Sequence, residues 1–288
     1  MADASPTAST AATGTPLLSA RGLGRRFGGL AAVDDVSIDL AVGQIHAVIG
    51  TNGAGKSTLV NMLSGELAPS AGSVHFAGHD VTRWPQPRRA RAGLGRSYQR
   101  TTLFPEFSLA ENCRLAAQAG APRPWRFWER ASADRAGLAT ALRVLAEAGL
   151  AADAERVAGT LSHGGKRQLE IAMCLATAPQ ALLLDEPLAG MGAEETGRML
   201  ALLTTLKATH AILLVEHDMD AVFKVADRVT VMVNGQVIAS DVPERIRTDR
   251  AVQIAYLGDE APTLAAGAAA LLPEGAGPAF GRPGGRPR

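Results

Sequence analysis

Residues 50–58 read Gly50-Thr51-Asn52-Gly53-Ala54-Gly55-Lys56-Ser57-Thr58. The spacing G-x-x-x-x-G-K-S is that of the P-loop, which binds the phosphates of a nucleotide. The apolar run at 44–49 (QIHAVI) predicts a buried strand before the loop, and an amphipathic segment from residue 58 predicts a helix after it. The loop is therefore expected where backbone N–H groups and the positive end of a helix face an anion. A glycine-rich turn with a surface lysine is the alternative, and it leaves the flanking strand and helix unexplained.

Each part of this loop has an expected role. Gly50, Gly53 and Gly55 allow the backbone to curl around phosphate without a Cβ in the way. Lys56 is expected to reach the β- and γ-phosphates, and the Ser57 hydroxyl to ligate Mg²⁺. The sequence therefore predicts a chain that binds a nucleoside triphosphate with Mg²⁺.

The composition sets limits on the remaining possibilities. The 288 residues are 47% hydrophobic and 20% charged, which is typical of one or two globular domains. A formal net charge of +1 gives no argument for a nucleic-acid partner. The two cysteines, Cys113 and Cys174, lack metal-ligand spacing, so reduced cytosolic thiols are the simplest interpretation. No run of 18 or more strongly apolar residues predicts a membrane span.

The two ends of the chain differ in composition from the middle. Residues 1–16 have neither the basic nor the apolar segment of a signal peptide, and a disordered leader is expected there. Residues 259–288 are mostly Ala, Gly and Pro, and a disordered tail is expected. The globular domain is therefore predicted to span residues 17–258.

Two stretches before the P-loop predict strands. Residues 17–26 have strand and turn character, and residues 33–40 (VDDVSIDL) alternate apolar and polar side chains as a half-buried strand does. Their spacing predicts an antiparallel pair ahead of the nucleotide-binding core. Phe27 follows the first stretch and is a candidate platform for the adenine ring, with an ordinary core aromatic as the alternative.

The segment between the P-loop and residue 160 predicts short strands and helices. Gln99, at the end of a predicted strand, could contact a metal-bound nucleotide, although glutamine is common at such positions. The basic and aromatic stretch 122–130 (PRPWRFWER) could indicate nucleic acid, but a helix connection that covers a small core is preferred. The predicted strands are 73–76 and 93–100, and the predicted helices are 83–91 (basic and solvated), 109–118 and 134–150.

A further predicted helix, 166–177, follows Leu161-Ser162-His163-Gly164-Gly165. Ser162 is placed where an N-cap residue belongs. A capped helix accounts for this pattern. The same arrangement would also aim a hydroxyl, glycine N–H groups and the helix dipole at a phosphate.

Two buried strands are each expected to end in acidic or titratable groups. The apolar run 181–184 (ALLL) precedes Asp185 and Glu186, which in a P-loop protein could hold Mg²⁺ and polarise an attacking water. The run 211–215 (AILLV) precedes His217, which could sense the γ-phosphate or have only a structural role. Residues 228–239 contain Asn-Gly between strand-like halves and predict a hairpin.

In this order the motifs resemble the ATP-binding subunit of an ABC transporter, and the resemblance covers residues 17–258. It implies an α/β fold, with a parallel-rich P-loop NTPase core, an antiparallel β region and a helical insertion at about 101–177. It also implies site roles: Phe27 under adenine; Gly50 to Ser57 as Walker A, extended to Thr58 in the nucleotide site; Gln99 at Mg²⁺ and the membrane partner; Ser162 and Gly164 as phosphate contacts of the signature; Asp185 at Mg²⁺; Glu186 as the catalytic carboxylate; and His217 as the switch histidine.

Finer motifs resemble the ATP-binding subunits of branched-chain amino acid importers. They are FGGL at 27–30, TLFP at 102–105, LEIA at 169–172, AGM at 189–191, VEHDM at 215–219 and AYLG at 255–258. Related subunits serve urea, short amides and other small solutes, and a lipopolysaccharide-export ATPase is a near relative.

Four positions depart from the family pattern. His163 and Gly165 replace residues of the usual LSGGQ, Thr51 replaces the usual P-loop proline, and Gly192 stands where Asp or Asn is common. Ser162 and Gly164 are retained, so no catalytic group is lost. Communication between two ATP sites could be altered at Gly192.

The resemblance also implies partners. Two such subunits, identical or sister chains, would close around ATP and work with transmembrane permease subunits at the cytoplasmic face of the inner membrane. A solute-binding protein would take part indirectly, and no nucleic acid is expected. Alternatives are an export ATPase, a soluble ABC ATPase acting on DNA or ribosomes, and a P-loop kinase. The single set of motifs and the short helical insertion favour transport, and a kinase would not explain the signature or His217.

Overall fold

The computed structural model describes residues 16–98, 103–120 and 134–257. Residues 1–15 of the expected leader, the expected tail 259–288, Gln99 and the basic aromatic stretch 122–130 lie outside these ranges. Within them the fold is α/β, as the motifs predict, with two sheets and a group of packed helices.

The first sheet is antiparallel and forms from the N-terminal part of the chain. Its strands are β1 (Leu18–Phe27), β2 (Leu30–Leu40), β4 (Ala71–Phe76) and β5 (His79–Asp80), in the order β2-β1-β4-β5. The predicted antiparallel pair ahead of the P-loop is therefore confirmed. Leu18 pairs with Leu40, and Phe27 pairs with Leu30 at the turn between the two strands.

The second sheet carries the P-loop. Its order is β10-β9-β3-β8-β7-β6, and its neighbours are parallel except for the β9–β10 hairpin. Asn234 (φ 48°) and Gly235 (φ 83°) supply the two left-handed residues that a tight hairpin turn needs. The strands are β3 (Ile45–Gly50), β6 (Leu94–Arg96), β7 (Ala181–Asp185), β8 (Ala211–Val215), β9 (Arg228–Val233) and β10 (Gln236–Asp241).

Helices flank this sheet, and three of them pack on one another inside the expected insertion at 101–177. The helices are α1 (Lys56–Ser64), α2 (Gln86–Arg91), α3 (Leu109–Gly120), α4 (Arg135–Glu147), α5 (His163–Ala176), α6 (Ala193–Lys207), α7 (Met219–Val225), α8 (Pro243–Thr248) and α9 (Arg250–Leu257). The group of three is α3, α4 and α5. None of the helices in the described ranges is long and apolar enough to cross a bilayer.

Two predictions for the segment 83–100 were wrong in detail. The basic helix is shorter than 83–91 and is not fully solvated, because Arg89 is 1% exposed. Its guanidinium donates to the carbonyl oxygens of Met62 and Leu63 at the end of α1, at 2.9 and 2.7 Å. Of the predicted strand 93–100, only Leu94–Arg96 is a strand among the residues described up to Tyr98.

The P-loop strand separates two hydrophobic clusters. Ile45, Ala47 and Ile49 pack with the α3–α5 side, whereas Val48 packs with α1 and the antiparallel sheet. Alternation along one strand places successive side chains on opposite faces, so β3 is buried on both. The P-loop therefore begins from a strand that is fixed from both sides.

Candidate functional site

The site forms where three neighbouring parallel strands end. The strand β8 lies between β3 and β7, and Val215 is in register with both Val48 and Asp185. The backbone N–H of Glu186 donates to the carbonyl oxygen of Val215 at 2.9 Å. The carboxyl ends of parallel strands meet at one edge of a sheet. The P-loop, the two carboxylates and His217 therefore converge on this edge.

The P-loop has the geometry that an anion requires. The helix α1 begins at Lys56, and no side chain caps the N–H groups of its first turn. Gly53 has φ 82° and open space where a Cβ would project, and Ser57 is exposed. Uncapped N–H groups at a helix start bind phosphate well. The loop therefore fits a nucleotide phosphate group.

Two of the loop glycines are required for a different reason from the one predicted. A Cβ on Gly50 would lie 2.3 Å from the carbonyl oxygen of Met232, and one on Gly55 would lie 2.2 Å from that of Ala32. Both glycines therefore let the loop pack against neighbouring backbone of the same chain. Of the three glycines, only Gly53 combines a positive φ with open space on the loop surface.

Lys56 connects the loop to the carboxylates. Its Nζ donates to the carbonyl oxygens of Gly50 (2.6 Å) and Thr51 (3.1 Å). Partial burial lowers the pKa of Lys56, and the nearby carboxylates of Glu186, Asp185 and Glu216 act in the opposite direction. The lysine thus lies in the field of three acidic groups from two other strands.

The two carboxylates after β7 differ in environment. Asp185 is the last residue of the strand and is 2% exposed. Glu186 is partly exposed and has φ 50°, a left-handed conformation that costs a non-glycine residue about 1–3 kcal/mol. Backbone bonds on both sides hold it there, from its own N–H to Val215 and from the Ala189 N–H to its carbonyl oxygen.

His217 lies beside a buried carboxylate that the sequence motifs did not single out. The His217 side chain is 59% exposed, and its Nδ1 is 3.7 Å from Oε2 of Glu216, which is fully buried. Oε2 of Glu216 accepts the His217 backbone N–H at 3.3 Å, and Oε1 accepts that of Leu188 at 2.8 Å. Burial raises the pKa of Glu216 to about 7. The sequence signal that could have identified Glu216 is its position directly after the buried strand β8.

The signature residues lie apart from this cluster, at the start of α5. Ser162 is the N-cap, as predicted, and its hydroxyl oxygen accepts the Gly165 N–H at 3.1 Å. The same hydroxyl donates to Oε1 of Glu195 at 2.7 Å. The Ser162 hydroxyl, together with N–H groups of Gly192 and Gly164, lowers the pKa of Glu195. A carboxylate of the same chain therefore occupies the anion-binding end of α5.

Gly164 leaves room for this contact. A Cβ at Gly164 would lie 2.6 Å from the carboxyl carbon of Glu195. Next to it, Nε2 of His163 is 3.0 Å from the carbonyl oxygen of Ala189. In the described part of the chain, no recorded hydrogen bond joins Ser162 or Gly164 to the P-loop.

Phe27 lies at the exposed end of β1. Its ring is 48% exposed, and the guanidinium of Arg25 lies 4.9 Å from the ring centre. The adjoining strand β2 contacts the P-loop through Ala32, so the β1–β2 turn is on the nucleotide side. Gln99, the remaining predicted site residue, lies outside the described residues.

A cleft of about 250 Å³ opens between the P-loop core and the α3–α5 group. Residues from α1, α2, β6, α3 and α5 line it, among them Arg96, Tyr98, Glu170 and Met173. Tyr98 is the last described residue before Gln99. The cleft lining therefore reaches to one position before Gln99, the residue to which the resemblance assigns a contact with the membrane partner.

Comparisons with known proteins agree with this geometry. A family profile described as "ABC transporter" matches residues 33–189, and one described as "Branched-chain amino acid ATP-binding cassette transporter" matches residues 236–262. The "High-affinity branched-chain amino acid transport ATP-binding protein BraF" of Pseudomonas aeruginosa is 37% identical over 254 residues, covering 85% of this chain and 98% of the relative.

A second relative and a solved structure give the same result. The protein LivG of Escherichia coli K12, which has the same descriptive name as BraF, is 39% identical over 254 residues, covering 85% of this chain and 98% of LivG. The ADP-bound structure of MJ1267, described as an ATP-binding cassette of an ABC transporter, superposes with a TM-score of 0.77 at 28% identity. The superposition covers 85% of this chain and 100% of MJ1267.

Proposed function

The chain belongs to the ATP-binding, ATP-hydrolysing subunits of ABC transporters, and from this premise we propose that it powers the import of branched-chain amino acids or a similar small polar solute. One observation carries the choice of solute. The match to this chain covers 98% of the length of BraF and of LivG, and both relatives are named for branched-chain amino acid transport. The C-terminal match to the branched-chain family profile supports the same subgroup.

The residues at the strand ends have complementary roles in this proposal. The uncapped start of α1 and the Lys56 ammonium hold the phosphates of ATP, and the exposed Phe27 ring supports the adenine. Ser57 and Asp185 hold Mg²⁺, an ion that commonly uses one or two protein oxygens together with phosphates. When bound, Mg²⁺ neutralises charge on the transferring phosphate.

Hydrolysis itself is assigned to Glu186 and His217. Glu186 is partly exposed at the edge of the site, where its carboxylate can orient and deprotonate a water molecule. The exposed imidazole of His217 can donate to the terminal phosphate. Gln99 is assigned a link between Mg²⁺ and the permease on the basis of its place in the motif order.

We further propose that two such subunits, identical or sister chains, close around ATP. Ser162 and Gly164 present a hydroxyl and an N–H at the start of α5, and they would contact phosphate on the opposing subunit. The partners are transmembrane permease subunits at the cytoplasmic face of the inner membrane, with a solute-binding protein acting indirectly. Residues 17–258 form the ATPase domain in this proposal, and the role of residues 259–288 is left open.

Phe104 is proposed as a contact of the permease near the cleft. Its ring is 51% exposed and stacks on Phe107 with 5.4 Å between ring centres. The Asn112 side chain bonds both the N–H and the carbonyl oxygen of Phe104, at 2.9 and 3.1 Å. A fixed backbone thus presents an exposed aromatic ring, which is a favourable anchor for a partner.

Replacing Phe104 by alanine tests this contact. Phe104→Ala should lower permease association at least tenfold, because an aromatic anchor often contributes about 2 kcal/mol or more. Leu142→Ala, which removes an apolar side chain that is 46% exposed on α4, is the matched control. Association measured by co-purification should be unaffected in the control. Equal association and transport in both variants would remove Phe104 from the interface.

The whole proposal is tested by affinity purification from detergent-solubilised membranes of the native host. Recovery of a permease pair, with or without a sister ATPase, is the expected result, and a solute-binding protein encoded beside it could then be screened for its ligand. Recovery of soluble partners alone would contradict the import function and favour a soluble ABC ATPase.

A further inference from the structure

We propose that Glu216 is a positioning residue that holds Glu186 and His217 in their relative arrangement for hydrolysis. Glu216 directly follows β8, the strand between the P-loop strand and the Asp185 strand. Its side chain is fully buried. The inference rests on the proposed roles of Glu186 and His217, and it assigns a function to a motif residue that had no role in the sequence analysis.

The Glu216 carboxylate joins two separate segments of the site. Oε1 accepts the N–H of Leu188, at 2.8 Å, in the loop that follows Glu186. Oε2 accepts the N–H of His217 at 3.3 Å. One side chain therefore fixes the backbone beside both proposed catalytic groups.

The position of Pro187 makes the first of these bonds important. Proline has no N–H, so the first backbone donor after Glu186 is that of Leu188. Glu216 takes this donor and thereby anchors the loop immediately beyond Glu186. Glu186 has φ 50°, a conformation that persists only where the surroundings impose it.

Glu216 is itself fixed to the P-loop strand. Its backbone N–H donates to the carbonyl oxygen of Val48 at 3.3 Å, two residues before Gly50. The P-loop strand, the Glu186 loop and His217 are thus connected through one residue. A shift of about 1 Å at such a point can slow a reaction about 100-fold.

A carboxylate suits this role better than other side chains of similar size. An ionised carboxylate presents an acceptor oxygen to each of two N–H groups, whereas the glutamine amide has one oxygen and one NH₂. In Glu216→Gln the NH₂ would face one of the two N–H donors, and that bond would be lost. The substitution preserves side-chain volume, so its effect on packing should be small.

The test compares Glu216→Gln with Thr230→Val in the purified full-length chain. Thr230 is 1% exposed, and in Thr230→Val a buried hydrogen bond to His46 is lost, which involves none of the proposed catalytic residues. Glu216→Gln should slow single-turnover ATP hydrolysis about 10- to 100-fold, with the ATP dissociation constant changed less than about twofold. Thr230→Val should lower the Tm but keep the rate.

Two further measurements separate positioning from a general loss of structure. Hydrogen exchange of the peptide covering 186–190 should be faster in Glu216→Gln and unchanged in Thr230→Val. In a Glu186→Gln background, adding Glu216→Gln should lower the residual rate by a smaller factor than it lowers the wild-type rate, because the part of its effect that acts through Glu186 is already lost.

The outcomes distinguish this inference from the proposed function. Equal rates or equal exchange in Glu216→Gln and Thr230→Val would overturn the positioning role. A full additive loss in the Glu186→Gln background would show that Glu216 acts independently of Glu186. A normal rate in Glu186→Gln alone would instead contradict the proposed role of Glu186, whatever the result at Glu216.

Discussion

At the scale of single residues, the site depends on groups whose charge is set by neighbouring strands. Lys56 has its pKa lowered by partial burial, and three carboxylates favour its charged form. Its ammonium bonds two carbonyl oxygens of the P-loop, Gly50 and Thr51. The Lys56 side chain therefore lies against the P-loop, which is proposed to bind phosphate.

Replacing Lys56 by alanine should mainly weaken nucleotide binding. A hydrogen bond to a charged group contributes about 1.5–3 kcal/mol, so the ATP dissociation constant should rise at least tenfold. Lys224→Ala, which removes an exposed lysine on α7, is the control. Titration of both variants with ATP measures the difference. Unchanged affinity for ATP in Lys56→Ala would contradict the proposal that Lys56 holds the phosphates.

Replacing Glu186 by glutamine should separate binding from hydrolysis. The amide keeps the shape of the side chain but cannot accept a proton from water, and loss of a general base costs about 10²–10⁴-fold in rate. ATP binding should persist, and ATP-held dimers should accumulate because the phosphate contact is not removed. Phosphate release and size-exclusion chromatography test the two expectations, and near-normal turnover would exclude Glu186 as the base.

At the scale of elements, the start of α5 presents an arrangement that sequence could not predict. Ser162 was expected to cap this helix, and it does. Its hydroxyl also bonds Glu195 of α6, which lies 33 positions away in the chain. The start of α5, which is proposed to contact phosphate on another subunit, is thus occupied by the Glu195 carboxylate of its own chain. The Glu195 carboxylate and the phosphate would compete for the same donors.

This competition gives a prediction for Glu195→Ala. Freeing the Ser162 hydroxyl and the Gly164 N–H should lower the ATP concentration for half-maximal dimerisation about three- to tenfold in the Glu186→Gln background. Glu194→Ala is the control, because Glu194 is 86% exposed and pairs with Arg198 on the surface. Weaker dimerisation in Glu195→Ala would instead mean that Glu195 orients Ser162 for phosphate.

At the scale of the whole molecule, His46 connects the two sheets. Its Nδ1 is 2.8 Å from the carbonyl oxygen of Asp39 on β2, and its Nε2 is 2.8 Å from Oγ1 of Thr230 on β9. A carbonyl oxygen can only accept, so the proton is assigned to Nδ1 in the neutral ring. Burial lowers the pKa of His46 to about 4.

The lowered pKa of His46 predicts an acid-sensitive fold. The unfolded chain binds a proton at His46 below about pH 6.5, whereas the folded chain resists it down to about pH 4. The stabilising contribution is therefore complete above about pH 6.5 and is lost as the pH falls toward 4, by up to about 3 kcal/mol. In His46→Gln the Tm should fall less between pH 7 and pH 4.5 than in the wild type.

The exposed His79 provides the control for this measurement. His79→Gln should follow the wild-type acid curve, because the substitution leaves the buried His46 and its two hydrogen bonds unchanged. Thermal unfolding at a series of pH values distinguishes the two variants. Identical curves of Tm against pH for His46→Gln and the wild type would mean that groups other than His46 cause the loss of stability in acid.

The sequence by itself determined the strand–loop–helix of the P-loop, the carboxylates after β7, the cap at Ser162 and the Asn-Gly hairpin. These features depend on residues close together in the chain, where hydrophobic period, glycine spacing and capping chemistry are local properties. Their order was also sufficient to indicate the family. The tertiary structure alone decided the partners of Arg89, Glu195, Glu216 and His46. Each of these residues has a partner that lies 26 to 184 positions away, and such contacts arise only when strand order and helix packing bring distant segments together.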